Sequence, residues 1–301
     1  MKIEYDRTRT EFDAILSGDV CFDILADDLR FGEGPVWDAH AGEFYWVDIV
    51  GDALWKWRDG VGRKLVMQPT GKANGLAIDR QGRLVAAGWG QRSIWRREAD
   101  GAISVLCTHY QGRRLNSPND LVVKSDGAIY FTDPSGALNN VGMGGDDLQR
   151  YLDFHGVFRL APDGQVRLVV QDFVYPNGLA FSPDESRLYI NDTRAMLIRV
   201  FAVAPDGSLH NGQCFAKVSG DGPGRPDGMK VDIHGNVYCT GPGGIHVFTP
   251  GGHMLGRIKV PGHITNFAFG GDDWRWLYVV TQTSVLRARV GIPGLPAGKE
   301  G

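Results

Sequence analysis

The chain of 301 residues carries 32 Lys and Arg against 35 Asp and Glu, a formal net charge of -3 at pH 7. This balance, with no long run of like charges, argues against a nucleic acid or an anionic membrane as a partner. The N-terminus has no apolar signal segment, and no stretch approaches the ~20 apolar residues that span a bilayer, so we expect a soluble, cytoplasmic protein.

A short pattern recurs along most of the chain. A small polar or acidic residue leads an apolar run of strand character, and a turn rich in Asp and Gly then precedes a second apolar run. The copies are, in chain order, Glu33-Gly34-Pro35-Val36, Asn74-Gly75-Leu76-Ala77, Asn119-Asp120-Leu121-Val122, Asn177-Gly178-Leu179-Ala180, Asp227-Gly228-Met229-Lys230 and the degraded Asn266-Phe267-Ala268-Phe269. The leading residue is therefore expected to be structurally equivalent in all six copies.

The spacing of these copies predicts the fold. Their leading residues lie 41, 45, 58, 50 and 39 residues apart, which is the period of one propeller blade of about four strands. No segment shows a helical period over about ten residues, which argues against alternating strands and helices. We therefore predict an all-β, six-bladed β-propeller in which the leading residues form a ring around a central channel.

The N-terminal segment is expected to close this ring. The sixth unit shows only three evident strands, whereas residues 20–25, ahead of the first copy, alternate in the manner of a strand. A strand over about 20–26 would complete the last blade and remove an open sheet edge. The whole chain, residues 1–301, is then a single propeller domain.

Blades two and three carry further candidate residues. Trp89 lies between two glycines where a strand leaves the core, and it is predicted either as a pocket wall that contacts substrate or as a packing residue. Asn74 and Arg114 are candidate substrate contacts, because the first leads the second copy and the second lies in a polar loop before Asn119. The excursion over 135–155 accounts for the widest spacing and is predicted as a lid, a pocket wall or a solvated loop.

The ring itself predicts a metal centre. Carboxylates at Glu33 and Asp227, with carboxamides between them, would be costly to bury unless a bound group satisfied their oxygens. An all-oxygen set of this kind suits Ca²⁺, with Mn²⁺ and Mg²⁺ as alternatives, and the ring contains no His or Cys to favour Zn²⁺. The four cysteines lack the CxxC spacing of zinc sites and are expected to be free thiols. The competing interpretation is that these residues are ordinary turn residues that bind only backbone groups.

Four ordered segments resemble the SMP-30/gluconolactonase family, also called the regucalcin-like family. They are Phe-Gly-Glu-Gly-Pro-Val-Trp at 31–37, Leu-Asn-Ser-Pro-Asn-Asp at 115–120, Pro-Asn-Gly-Leu at 176–179 and Arg-Pro-Asp-Gly-Met at 225–229. The resemblance implies a six-bladed propeller with one catalytic divalent cation, held by Glu33, Asn177 and Asp227. Zn²⁺ joins Mn²⁺ and Mg²⁺ as an alternative to Ca²⁺ in this site. The resemblance also makes Asn119 a metal ligand or a substrate contact. The chain departs from the family pattern at Trp89, where bacterial members commonly carry His, and this departure bears on the substrate.

The leading hypothesis for the function is hydrolysis of a sugar lactone, which is the reaction that the resemblance implies. Asp227 would bind the cation and orient or deprotonate the attacking water. The alternatives are hydrolysis of an organophosphate or phosphoester at the same site, and a non-catalytic calcium-binding propeller. Asn266, in the degraded copy, is expected to be dispensable. The repeat pattern does not bear on the oligomeric state.

Overall fold

The structure is a computed structural model that describes residues 2–16, 20–140 and 142–296. Six antiparallel sheets, five of four strands and one of five, confirm the all-β, six-bladed propeller. Blades 1 to 3 consist of Gly32–Asp38, Glu43–Asp48, Ala53–Arg58 and Gly62–Met67; Ala73–Ile78, Leu84–Gly88, Ser93–Arg97 and Ile103–Cys107; and Leu121–Val123, Ile129–Asp133, Gly156–Leu160 and Val166–Val170. Blades 4 to 6 consist of Pro176–Phe181, Arg187–Asp192, Leu197–Val203 and Leu209–Lys217; Met229–Val231, Val237–Gly241, Gly244–Phe248 and Met254–Lys259; and Ile264–Gly270, Trp276–Thr281, Val285–Arg289 and Asp23–Ala26.

Four short elements lie outside this scheme. They are the strand Glu4–Arg7, the 3₁₀ helix Thr10–Ala14, the hairpin of His109–Tyr110 with Arg113–Arg114, and the single helical turn Gly136–Asn139. Among the described residues no helix is both long and apolar enough to cross a bilayer.

The N-terminal part of the chain contributes strands to two blades. Asp23–Ala26 pairs antiparallel with Val285–Arg289, so blade 6 joins the two ends of the chain. Glu4–Arg7 pairs with Met254–Lys259 and adds a fifth strand to the outer edge of blade 5, where no strand was expected. Between the two strands, Phe12 and Ile15 are fully buried in the cluster that packs blades 5 and 6.

Deletion of residues 1–28 is expected to give insoluble protein. It removes both N-terminal strands and exposes the edges of two blades together with the apolar surface that covers Phe12. The soluble fraction and the lactone-hydrolysing activity of the truncation are the measurements. Ile24→Ala is the matched control, because Ile24 is 59% exposed and its backbone pairing does not need the side chain. A soluble and fully active truncation would contradict the closure.

Aspartates hold the turns that follow the innermost strands, as the Asp-Gly signal in each repeat indicates. Asp79 Oδ1 accepts from the backbone N–H groups of Gln81 and Arg83 at 3.0 and 2.9 Å. Asp232 Oδ1 accepts in the same way from His234 and Asn236, both at 2.9 Å. A side-chain acceptor two to four residues before its donors closes the turn locally and fixes where the next strand begins.

Apolar and aromatic side chains fill the space between neighbouring blades. The rings of Phe44 in blade 1 and Tyr278 in blade 6 stack at a centroid distance of 4.2 Å. The rings of Tyr130 in blade 3 and Phe181 in blade 4 meet edge to face at 5.2 Å. Contacts of this kind bury large apolar areas and fix the angle between sheets. Blade 6 therefore packs against blade 1 as part of the same core that joins it to blade 5.

The sixth copy of the repeat is aligned differently from our expectation. Thr265, and not Asn266, occupies the leading position of blade 6, because the Gly228 N–H donates to the Thr265 carbonyl at 2.9 Å, just as the Gly178 N–H donates to the Asp227 carbonyl at 3.1 Å. Asn266 therefore takes the second position, which is glycine in four copies and Asp120 in blade 3. The shared asparagine suggested the wrong alignment, since backbone pairing decides the register and residue type does not.

Candidate active site

The leading residues of the first five blades lie together at one mouth of the central channel, at the start of the innermost strands. Glu33, Asn74 and Asn177 are almost fully buried, with 3%, 3% and 4% of their surface exposed, and Asn119 is buried as well. Asp227 differs because it is only partly buried. The ring therefore contains one carboxylate residue that is almost fully buried and one that is partly exposed.

Glycine at the second position lets the innermost strands approach one another closely. A Cβ atom on Gly178 would lie 2.0 Å from the Asp227 carbonyl oxygen, so no larger residue fits there without moving the backbone. The same Asp227 carbonyl accepts from the Asn191 side-chain amide at 2.6 Å. Two residues of blade 4 thus hold the Asp227 carbonyl, which fixes the backbone of Asp227 relative to that blade.

The buried carboxylates raise one another's pKa values. Burial raises the pKa of Glu33 to about 7, and the nearby Asp120 carboxylate acts in the same direction. Burial and the charges of Glu33 and Asp120 hold the pKa of Asp227 well above its usual range. Burial also raises the pKa of Asp120, while the Lys230 ammonium opposes that shift. Three carboxylates that destabilise one another's charged forms make a site that favours a bound cation.

Two amide oxygens of the ring have no hydrogen-bond partner among the residues that the structure describes. The Oδ1 atoms of Asn74 and Asn177 are buried and accept no hydrogen bond among the described residues. The other end of the Asn177 amide donates from Nδ2 to Thr193 Oγ1 at 3.1 Å, which holds the group in this orientation. A buried acceptor without a donor is costly, and a hard cation would satisfy it.

The donor set fits a divalent cation only if these amides take part. Within residues 2–16, 20–140 and 142–296, no three His, Cys, Asp or Glu side chains are grouped closely enough to hold a metal ion by themselves. Glu33 and Asp227 supply charge, and the free Asn177 oxygen supplies a neutral donor. Oxygen-only sets of mixed charge are typical of Ca²⁺ and other hard cations.

Aspartates at the ends of second strands position the backbone that leads into the ring. Asp48 accepts from the N–H groups of Arg30 and Phe31, both at 2.9 Å, just before Glu33. In blade 4, Asp192 accepts from the N–H groups of Val174 at 2.8 Å and Tyr175 at 3.2 Å, just before Asn177. In blade 3, Asp133 accepts from the N–H of Asn116 at 2.8 Å, just before Asn119. Each bond fixes the chain two or three residues before a leading residue.

Asp133→Asn is expected to make the metal-free protein progressively more stable, relative to the wild type, as the pH rises from about 4 to 7. Burial raises the pKa of Asp133 to about 7, so the folded protein favours the protonated acid more than the unfolded chain does. That contribution is present below the unfolded pKa of about 3.9 and is lost as pH rises through the folded pKa. At about 1.4 kcal/mol per pKa unit, the relative gain at pH 8 should reach ~1–4 kcal/mol.

Urea unfolding at pH 4, 6 and 8 in the presence of a chelator measures this difference. The asparagine amide adds a cost of its own, because Asp133 Oδ1 has no partner among the described residues. That cost does not change with pH, so the test is the slope of the difference. A difference between the two proteins that is flat or falls with pH would contradict the assignment.

Two of the predicted substrate contacts, Trp89 and Arg114, lie outside the ring of leading residues. Trp89 is 5% exposed and belongs to an apolar cluster with Ala73, Leu76 and Ala137. Its ring atom Cζ2 lies 2.6 Å from where a Cβ on Gly136 would stand. These observations agree with the packing interpretation of Trp89, and its contact with substrate stays a prediction.

Arg114 and the excursion over 135–155 are tied to each other. Arg114 Nη1 pairs with Asp147 Oδ2 at 2.8 Å and its Nη2 donates to the Gln91 carbonyl at 3.2 Å. The fully buried Arg92 donates to the carbonyls of Asp147 and Gln149 at 3.1 and 2.8 Å. The described part of the excursion is therefore anchored to blade 2, and the guanidinium of Arg114 serves that anchor.

Three residues near the ring were missed from the sequence. Asp120 and Lys230 act on the ring carboxylates, and burial followed by the charge of Asp227 raises the pKa of the Tyr175 hydroxyl. Tyr175 also lies beside Gly136, whose Cβ position is 2.2 Å from its Oη. The repeat contained a usable signal, since Tyr175 stands two residues before a leading residue and Asp120 replaces a glycine found in four other copies.

The chain is similar to sugar lactonases in both sequence and fold. The profile of the SMP-30/Gluconolactonase/LRE-like region matches residues 31–283. A gluconolactonase of Zymomonas mobilis is 34% identical over 92% of this chain and 83% of its own. The pentonolactonase XacC of Haloferax volcanii is 32% identical over 86% and 84%. The structure of a gluconolactonase from Xanthomonas campestris superposes with a TM-score of 0.89, at 37% identity over 95% of this chain and 94% of that one.

Proposed function

This chain belongs to the SMP-30/gluconolactonase/LRE-like family, and we infer that it is a carboxylic ester hydrolase that opens sugar lactones. Relatives above 30% identity that are named for this reaction on two different sugars support the substrate class. The observation that carries the inference is the contrast within the ring, in which Glu33 is almost fully buried and Asp227 is partly exposed. Asp227 is therefore the ring carboxylate that we assign to the reaction with a small-molecule substrate.

We propose that a divalent cation, with Ca²⁺ favoured, is held by Glu33, Asn177 and Asp227. Asn119 would be a fourth ligand or a contact to the substrate. When bound, the cation polarises the lactone carbonyl and stabilises the oxyanion that develops on it. The Oδ1 atom of Asn177 supports this set because it has no hydrogen-bond partner among the described residues. The carboxylates support it because a cation would offset the burial and mutual repulsion that raise the pKa of Asp227.

Asp227 carries the proton transfers in this proposal. Its carboxylate takes a proton from the attacking water, whose oxygen forms the new bond to the lactone carbonyl carbon. The ester C–O bond then breaks, and the carboxylic acid of Asp227 returns the proton to the leaving alkoxide. The products are a carboxylic acid and a hydroxyl on one open-chain sugar acid, and the carboxylic acid then releases its proton to solvent.

Two neutral side chains would hold the sugar in place. The Asn74 oxygen is a buried acceptor without a partner among the described residues and is suited to a sugar hydroxyl. The raised pKa of Tyr175 keeps its hydroxyl protonated, so it is a neutral donor beside Asp227. The cytoplasmic location expected from composition stays a prediction.

Hydrolysis rates on a panel of aldonolactones and on a phosphotriester, each with and without chelator, test the function. We expect lactone hydrolysis that a chelator abolishes and an added divalent ion restores. Faster hydrolysis of the phosphotriester would favour the phosphoesterase alternative. Metal binding without hydrolysis of either class would make the protein a non-catalytic calcium binder and overturn the proposal.

A further inference from the structure

Two polar side chains form a layer just inside the ring of leading residues. Asp120 and Asn266 occupy the second position of their copies, where the other blades have glycine, and both are almost fully buried. They fill the space that those glycines leave, since a Cβ on Gly75 would lie 2.6 Å from Asp120 Oδ1 and one on Gly228 would lie 2.0 Å from Asn266 Oδ1. The two side chains meet in the channel, with Asn266 Nδ2 at 3.5 Å from Asp120 Oδ2.

Lys230 brings one positive charge close to this layer. It occupies a repeat position that is uncharged in the other five blades. The residue three positions after each leading residue is small or apolar in five blades: Val36, Ala77, Val122, Ala180 and Ala268. Only blade 5 has a charged residue there. All six positions line a cavity of about 440 Å³ on the far side of the channel from the metal ring. Placing a lysine at one of these positions costs free energy of desolvation unless its ammonium finds partners.

The ammonium of Lys230 turns toward the ring of carboxylates. Its Nζ donates to the Asn266 Oδ1 at 3.3 Å and to the Met229 carbonyl at 3.0 Å. The same Asn266 amide donates from Nδ2 to Glu33 Oε2 at 3.2 Å. Asn266 therefore links the ammonium to the carboxylates. Its Oδ1 faces the Lys230 ammonium and its Nδ2 faces the carboxylates of Glu33 and Asp120.

The charges around this layer indicate the role of Lys230. Glu33, Asp120 and Asp227 carry three negative charges when all are ionised, and the lysine carries one positive charge. We propose that Lys230 sets the net charge of the site to minus two, so that a divalent cation neutralises it. The residue does not touch substrate or cation, and it acts by opposing the excess negative charge from below the ring. This inference rests on the proposed metal site of the lactonase.

Charge-changing variants at Lys230 and Asp120 distinguish this role from a structural one. Titration calorimetry of the full chain with Ca²⁺ and with Tb³⁺ gives both affinities. Lys230→Met should bind Ca²⁺ about tenfold more tightly, and its gain for Tb³⁺ should be larger because the interaction scales with the charge of the ion. Asp120→Asn should bind Ca²⁺ about tenfold more weakly, and the double variant should return close to the wild-type affinity.

The control is Lys124→Met, since Lys124 lines the same cavity but pairs with Glu185 at 2.8 Å, away from the ring. It should leave both affinities unchanged. Lys230→Gln replaces the methionine variant if that protein does not fold. An unchanged ratio of Tb³⁺ to Ca²⁺ affinity in the folded Lys230 variant, or a double variant that is not restored, would overturn the role of Lys230 alone. A wild-type protein that binds neither ion would overturn the metal site as well.

Discussion

Replacement of Asp227 by asparagine is expected to lower kcat/KM for sugar lactones by about 10³-fold or more and to weaken divalent-metal binding in the same variant. Asparagine has nearly the same size and keeps one oxygen, so the fold should survive. It can neither accept a proton from water nor supply the negative charge that a hard cation needs. Raising the metal concentration should therefore restore binding but not the rate. Steady-state kinetics and calorimetry on the purified variant measure the two effects.

Asp232→Asn is the matched control for this change. Asp232 lies in the same blade and is fully buried, but its carboxylate binds the turn and the hydroxyl of Tyr238 at 3.0 Å. Its loss should lower the melting temperature and leave kcat per folded molecule nearly unchanged. If the two variants lose activity to the same extent, or if Asp227→Asn stays active, the assignment of Asp227 as the base is wrong.

Replacement of Glu33 by glutamine is expected to weaken divalent-metal binding by about 100-fold or more while leaving the maximal rate at saturating metal within about tenfold of the wild type. Glu33 is almost fully buried and accepts from the Gly34 N–H at 2.7 Å, so glutamine can keep that bond through its remaining oxygen. What is lost is a charge and not a proton acceptor. The dependence of rate on metal concentration separates this behaviour from that of Asp227→Asn.

A second glutamate of blade 1 serves as the control. Glu43 is also buried, but it pairs with Lys56 at 2.9 Å and accepts from Tyr45 at 2.7 Å at the opposite end of the strands from the ring. Glu43→Gln should leave the metal dependence unchanged. A Glu33→Gln protein that binds metal as tightly as the wild type would show that Glu33 is not a ligand.

The architecture was accessible from the sequence because the repeat and the blade are the same physical unit. Each leading residue starts an innermost strand, and the Asp-Gly turns that separate the strands bind their own backbone, as Asp79 and Asp232 do. The strand Glu4–Arg7 was not accessible in the same way. It is four residues long, belongs to no repeat and is placed only by pairing with Met254–Lys259 at the other end of the chain.

The site was accessible only in part because residue type and backbone register are separate signals. Asn266 looked like a leading residue by type, whereas hydrogen bonding places Thr265 there and puts Asn266 against Glu33. This contact also argues against the expectation that Asn266 is dispensable. Asp120 stands out in the sequence because it replaces the glycine found in four other copies. Its effect on the ring carboxylates could not be predicted, because that effect depends on how closely the strands approach the channel axis.

Trp89 shows a second limit of the sequence. Its two flanking glycines left a pocket wall and a packing residue equally open, and the side chain lies in a cluster with residues of blade 2 and the anchored excursion. Flanking glycines report freedom or crowding of the backbone and do not tell which way a side chain points. That direction follows from long-range packing, here from Ala137 in the helical turn over Gly136–Asn139.

A crystal structure of the protein grown with Mn²⁺, with anomalous diffraction recorded at the manganese edge, tests the central claim most directly. The account predicts one anomalous peak at the mouth of the channel, about 2.0–2.6 Å from carboxylate oxygens of Glu33 and Asp227 and from Oδ1 of Asn177. The same crystals should turn over a soaked lactone. A peak on other residues, or no peak at the ring in protein whose lactone hydrolysis requires the ion, would contradict it.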